Sequence, residues 1–233
     1  MKLSRIQILY FTIILSLSII KNNYAQDPKP APKVNAAVTL TNNGLSVIPT
    51  FMLGKPAAIF DLSVKKKNFS FEPQLRFAIE DAKPWSFIFW FRYKLIKTKK
   101  FNMGIGAHPA TAFSTTSAMV NGATKDLMIV GRYFAAELTP TYTINKNLNL
   151  SVYYLTSKGF GYKTTANTHF ITLGPNISNI KLASKLQAKF SPSVYFLKMD
   201  KNQGFYTTST IFVSKPHFPI VISSTINKKI SST

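Results

Sequence analysis

Cysteine is absent from all 233 residues. That excludes disulfides, thiolate metal sites and a cysteine-linked lipid anchor, and it leaves the redox compartment open, because export does not require disulfides. Acidic residues are scarce: 8 Asp and Glu stand against 29 Lys and Arg, a formal net charge of +21. After the first twenty residues there is no long apolar run, since charges or turn residues interrupt each candidate. A chain of this kind crosses a membrane with strands or not at all. Neither a GxSxG elbow nor a phosphate loop is present, and no His, Asp and Glu stand at metal-ligand spacing. Gly104-Ile105-Gly106 is a lone GxG on an alternating segment, where glycine marks close packing. No cofactor and no metal site is expected.

The first residues have the layout of an export signal. Lys2 and Arg5 give a positive start, Ile6 to Ile20 an apolar core, and Asn23-Tyr24-Ala25 a cleavage site before Gln26. A signal peptide is therefore expected over residues 1–25, the core being shorter than the roughly twenty apolar residues of a spanning helix. The next stretch, DPKPAPK, carries three prolines, which cannot join a central ladder. Residues 26–33 are expected as a proline-rich tail, and residues 34–233 as one β-barrel.

What the chain has in abundance is strand alternation. From Phe69 to Ile96 it reads FSFEPQLRFAIEDAKPWSFIFWFRYKLI. Phe69, Phe71, Leu75 and Phe77 share one parity and Ser70, Glu72, Gln74 and Arg76 the other; Trp85, Phe87, Phe89, Phe91 and Tyr93 then alternate against Ser86, Arg92 and Lys94. Twelve residues from Trp85 to Ile96, at about 3.3 Å each, make a strand roughly 40 Å long. Tilted by about 40°, it rises roughly 30 Å, enough to cross an apolar band about 25 Å tall. The aromatic load is also heavy, with Phe 19, Tyr 10 and Trp 2. Phenylalanines in rows crowd a small interior and suit a lipid surface. Trp85, Tyr93, Tyr153, Tyr154, Tyr206 and Phe218 are placed to form aromatic girdles.

These patterns predict an all-β protein: an antiparallel up-and-down transmembrane β-barrel of about twelve strands, with ten to fourteen possible. Asn42-Asn43-Gly44 reads as a hairpin turn leading into a strand over residues 45–53. Gly174-Pro175-Asn176 reads as a break between strands at 168–173 and 180–190, and residues 109–126 as either a poorly marked strand or one loop. The segments GKPAAIFDLSV, SFEPQLRFAI and KPWSFIFWFRYKLI, the leader ending YAQ and the short lysine-rich turns resemble small outer-membrane β-barrel proteins of Bacteroidota type, many of them functionally unassigned. That resemblance implies an outer-membrane location and no particular activity.

Charge on the polar parity supplies the candidate site. Glu72, Arg76 and Glu80 line up beside Arg92 and Lys94 as a lumen cluster, which either pairs and plugs the barrel or forms a constriction for small anions. Lysines gathered at 65–67, 97–100 and 228–229 suggest a cationic rim. Its partners are outer-membrane lipids, including lipopolysaccharide phosphates, rather than nucleic acid. The oligomeric state is left open. The leading expectation is a non-enzymatic barrel, structural or narrowly permeable. A barrel lipid hydrolase or acyltransferase is the second; its nearest candidate triad needs His108 or His169 with a lumen serine and Glu72 or Glu137. A soluble exported β-protein binding anionic glycans is the third, and it requires the apolar parity to face inward.

Overall fold

The computed structural model describes residues 31–162, 164–183 and 185–233. The expected signal peptide and residues 26–30 of the expected tail lie outside them. Eleven strands follow one another: β1 (Lys33–Thr41), β2 (Ala57–Lys66), β3 (Phe69–Ala78), β4 (Pro84–Lys97), β5 (Phe101–Val120), β6 (Ala123–Asn145), β7 (Leu148–Phe160), β8 (Asn167–Ala183), β9 (Leu186–Met199), β10 (Asn202–Ser214) and β11 (Val221–Ser232). Each pairs antiparallel with the next in a single meander. The fold is the all-β, up-and-down arrangement expected, and its strand number falls within the expected range.

Register sorts the side chains onto two faces. Inward lie Asp61, Glu72, Gln74, Arg76, Arg92, His108, Glu137, Tyr153, Asn176 and Tyr195; outward lie the residues between them. Every strand puts an exposed apolar side chain on the outward face: Val38, Phe60, Phe69, Phe91, Ile105, Phe134, Leu150, Ile171, Val194, Phe205 and Ile226 in turn. Across β2 to β5 the outward rings touch, with Phe60 on Phe77, Phe77 on Phe87 and Phe87 on Phe113 at centroid distances of 6.0, 5.5 and 5.1 Å. The buried side chains are inward ones, gathered where Ala135, Leu155, Phe170, Tyr195 and Leu197 meet Trp90 of β4. A strand-four residue packing on strands seven to nine means that the sheet curls round its polar face.

Three local expectations are corrected. Residues 45–53 do not form a strand: residues 42–56 make a long connection with one 3-10 turn at Pro49–Phe51. Gly44 does adopt positive φ there, but it serves a loop, with Leu53 N–H donating to Gly44 O. The real Asn-Gly hairpin is Asn121-Gly122, with φ of 52° and 78°, the sign that a type I′ turn demands. It joins β5 to β6, so residues 109–126 are strand, turn and strand rather than a loop. β8 also runs through Gly174-Pro175-Asn176 without breaking and ends at Ala183, with β9 beginning at Leu186.

The girdle is also thinner than expected. Tyr153 and Tyr206 belong to the inward parity. A bulge between Arg76 and Phe77 carries Trp85 inward as well, where it is 2% exposed and lies under the Arg76 guanidinium at 5.0 Å. Tyr93 is outward and exposed.

Glycine makes room on the inner face where rings must lie flat. A Cβ on Gly159 would sit 2.1 Å from the Thr165 carbonyl oxygen and 2.8 Å from the Tyr133 ring. Gly159→Ala is therefore expected to cost about 1–3 kcal/mol in urea unfolding followed by gel mobility. Gly122→Asn, in open space at a φ that asparagine tolerates, is expected to change stability by less than about 0.5 kcal/mol.

Candidate functional site

The interior is organised around Arg92, projecting from the middle of β4. Its Nη1 donates to Glu72 Oε2 of β3 at 2.5 Å, and its Nε donates to Glu137 Oε1 of β6 at 2.6 Å. Tyr153 of β7 donates its hydroxyl to Glu137 Oε2 at 2.8 Å, and Lys65 of β2 reaches Glu72 at 3.3 Å. Five inward side chains, from β2, β3, β4, β6 and β7, thus form one connected polar chain. The guanidinium also lies 4.0 Å over the Trp90 ring. β5 contributes the gap that allows this: a Cβ on Gly106 would meet Glu137 Oε1 at 2.6 Å and Arg92 Cγ at 3.1 Å. Glu137 is 5% exposed, yet both carboxylate oxygens are satisfied, which is what a buried charge requires.

Of the residues expected together, the structure unites Glu72 and Arg92. Arg76 sits apart, donating to Gln74 Oε1 at 2.7 Å, while Gln74 donates to Asp61 Oδ1 at 2.5 Å. Glu80 lies beyond the end of β3, exposed in the 79–83 connection, where Lys55 approaches it at 3.6 Å. Lys94 keeps the inward parity but is exposed, near the end of β4. Two essential members were missed as cluster residues. Glu137 and Tyr153 are far from the β3–β4 hairpin in sequence, and only the parity of β6 and β7 could have brought them in.

Two further layers flank the charges. Towards the β6–β7 turn, Ser151 shares a hydrogen bond with Thr141 at 3.1 Å, and Asn176 donates to Asn149 at 3.1 Å and accepts from Ser191 at 2.8 Å. Towards the opposite mouth the interior is filled by the 42–56 connection. Val47 and Ile48 pack on the Leu155, Phe170, Tyr195 and Leu197 cluster, and Phe51 meets the Tyr133 ring at 5.3 Å. Thr50 reaches Thr165 at 3.3 Å on the far wall. The segment read as a strand is an inward stopper.

The three histidines occupy three different settings. His108 is inward and buried, its ring 3.7 Å from Trp90, with no partner on Nδ1. His169 is outward, with Nδ1 at 3.0 Å from the Tyr154 hydroxyl. His217 is in the 215–220 connection at a φ of 62°. The buried one faces Trp90 and not a serine or carboxylate. Among the described residues no group of three His, Asp or Glu is placed to hold a metal.

The fold and its interior define an antiparallel up-and-down sheet curled round a charged, stoppered centre. No protein family matches the chain, and no curated protein matches it. Among solved structures it is similar to OmpT (in-vitro folded), an outer membrane protein of Vibrio cholerae, with 10% identity over 85% of each chain and a TM-score of 0.41. It is also similar to the loop L8 deletion mutant of that protein, with 10% identity over 87% of this chain and 95% of the other and a TM-score of 0.36.

Removing Arg92 strands a buried Glu137 with only Tyr153 beside it. Arg92→Ala is expected to lose about 3 kcal/mol, the low end for a broken buried pair because Arg92 is one-third exposed. Lys94→Ala is expected to stay within about 0.5 kcal/mol. Urea titration of both variants checks the contrast, and equal losses would remove Arg92 from its central place.

Proposed function

We propose that the chain is an outer-membrane β-barrel protein of the Bacteroidota-type kind its sequence resembles, non-enzymatic, with a lumen closed by the 42–56 connection. The observation that carries this reading is the inverted surface: polar and charged groups inside, and an exposed apolar side chain on all eleven strands outside. A soluble sheet of this size buries its apolar parity and leaves the polar one in water, whereas a membrane barrel does the reverse. The glycan-binding alternative needs the opposite arrangement.

A bilayer tolerates no free strand edge. With an odd number of antiparallel strands, β1 and β11 run in the same direction, so a closed wall requires a parallel seam between them.

Inside, the Glu72–Arg92–Glu137 chain and the stopper together favour a structural barrel over an open pore. At the edges, the two ends differ. The connections at 67–68, 98–100, 146–147 and 215–220 and the end of β8 share one end and, with their flanks, carry Lys66, Lys67, Lys97, Lys99, Lys100, Lys146, Lys185 and Lys215 without an acid. At the other end Glu80, Asp81, Asp126 and Asp200 are interspersed among the lysines. The cationic rim is therefore one-ended, and phosphate-bearing headgroups of phospholipid or lipopolysaccharide are the partners that fit it.

Cell fractionation with heated and unheated gels tests the main reading: the folded protein is expected in the outer-membrane fraction with heat-modifiable mobility, and recovery as a soluble periplasmic protein would falsify it. Deleting residues 45–53 is expected to convert silent planar-bilayer traces into steady conductance; silence in both would show that something other than the stopper closes the lumen. Vesicle flotation checks the rim. Replacing Lys66, Lys67, Lys99 and Lys100 by Gln is expected to cost about 1 kcal/mol per lysine in preference for vesicles carrying phosphatidylglycerol or lipopolysaccharide. An unaltered preference would mean that these lysines are only solvated turn residues.

A further inference from the structure

Charge is rare on the outward face and gathered in one part of it. On β3, β4 and β5 the outward parity holds no charged side chain. From β6 to β9 it holds one basic side chain on every strand: Arg132, Lys158, His169 and Lys198, all exposed. Register makes them neighbours. Lys158 lies opposite Phe134, two residues along β6 from Arg132; His169 lies opposite Thr156, two residues along β7 from Lys158; and Lys198 lies opposite His169 itself. Diagonal neighbours on adjacent strands are about 7–8 Å apart, within reach of long side chains, so the four form one slanting row.

The height of the row decides what it meets. Along their own strands these residues stand about ten to fourteen positions from the short-turn ends of β6, β7, β8 and β9. At about 3.3 Å per residue and a tilt of about 40°, that is a rise of roughly 25–35 Å, one apolar band above the short-turn end. A cation facing lipid is costly at the midplane and tolerated at the interface. The row is therefore interfacial, at the end away from the lysine-rich turns. Among the described residues no carboxylate lies within ion-pair distance of Arg132, Lys158 or Lys198. Asp200, two residues past Lys198, is occupied by the Ala166 and Asn167 amides at 3.1 and 2.8 Å. The Tyr154 hydroxyl, 3.0 Å from Nδ1 of His169, leaves Nε2 as the ring nitrogen open to a ligand. Towards the midplane the wall below the row is apolar, with Leu138, Ile171, Leu173 and Val194 exposed.

We infer that this row binds a lipid whose head carries two phosphates. Arg132 and Lys158 hold one phosphate, and His169 and Lys198 hold the other. The acyl chains lie along Leu138, Ile171, Leu173 and Val194. The row crosses three strand spacings of about 4.8 Å, roughly 14 Å in all, which is wider than a single phosphate can serve. A phosphorylated sugar-headed lipid of the lipid A kind fits, because its rigid frame keeps two phosphates apart over several chains. The inference rests on the membrane-spanning reading above and concerns the wall at the end opposite the cationic rim.

The full chain, folded in detergent micelles, is titrated with lipid A bearing two phosphates, with lipid A bearing one, and with phosphatidylglycerol, bound lipid being counted by native mass spectrometry. The two-phosphate form is expected to bind about tenfold more tightly than either of the others. Arg132→Gln/Lys158→Gln/Lys198→Gln is expected to weaken it about a hundredfold, and each single replacement about fivefold. Lys55→Gln/Lys83→Gln/Lys125→Gln removes the same charge from the same end but off the row, and is expected to stay within about threefold of the unmodified chain. Heat-modifiable gel mobility checks that each variant is folded, and the single variants carry the test if the triple one is not. Flotation with phosphatidylcholine vesicles separates the two readings. A chain that floats but holds the three lipids alike, holds none, or loses no more in the row variants than in the off-row one overturns the site alone. A chain that does not float overturns the membrane reading and takes the site with it.

Discussion

The interior depends on one cation held from two sides. Arg92 of β4 bridges Glu72 on the adjacent β3 and Glu137 on β6, reaching the second across β5. A guanidinium suits this position because its fork offers separate donors in one plane, so both carboxylates are met without competing for the same proton. Lysine at that place would offer a point charge on a flexible stem. Gly106 is part of the same device: β5 passes between β4 and β6, and its missing side chain leaves the corridor through which the pair meets. Backbone curl, glycine placement and charge pairing are therefore a single arrangement rather than three.

Much of the wall was legible from residue order, because alternation with a period of two needs no tertiary information. The β3–β4 hairpin and its two faces are as its parity implies. Where side-chain pattern and backbone chemistry disagreed, the pattern misled. Leu45, Val47, Phe51 and Leu53 alternate well enough for a strand, yet Pro49 sits on the same parity, and those apolar groups satisfy themselves inside the barrel instead. Conversely, Ala, Ser and Thr around 110–118 carry too little contrast to show a parity, although they pair in an unbroken ladder to Asn121-Gly122. Trp85 was misplaced because a bulge inverts parity without leaving a mark on composition. For the site, pairing partners within one hairpin were readable and partners two or three strands away were not.

The β5–β6 ladder has a further property. It continues for eight rungs past the last rungs that β4 and β7 make with it at that end, from Phe113 opposite Val130 to Val120 opposite Ala123. At about 3.3 Å per residue the overhang is roughly 25 Å long. It is held by one ladder and the tight turn, with Ser117 holding Asp126 across the strands at 2.7 Å, and at its base the Phe113 ring meets Phe87. The stopper and this arm stand at the same mouth, so one end of the molecule carries nearly all of its irregular chain, while the other is trimmed to short turns.

If the chain is the membrane barrel proposed above, that asymmetry gives it a direction of travel. To enter a bilayer, one set of connections must pass through hydrocarbon, where an isolated lysine costs about 2.5–3.5 kcal/mol even on lenient scales. The short-turn end carries its lysines uncompensated. At the other end Lys55 lies beside Glu80 and Lys83 beside Asp81, so part of the charge can cross as neutral pairs. On the membrane-barrel proposal, the long, compensated end would be the leading edge, and the lysine turns the brake that stops the barrel at the near leaflet.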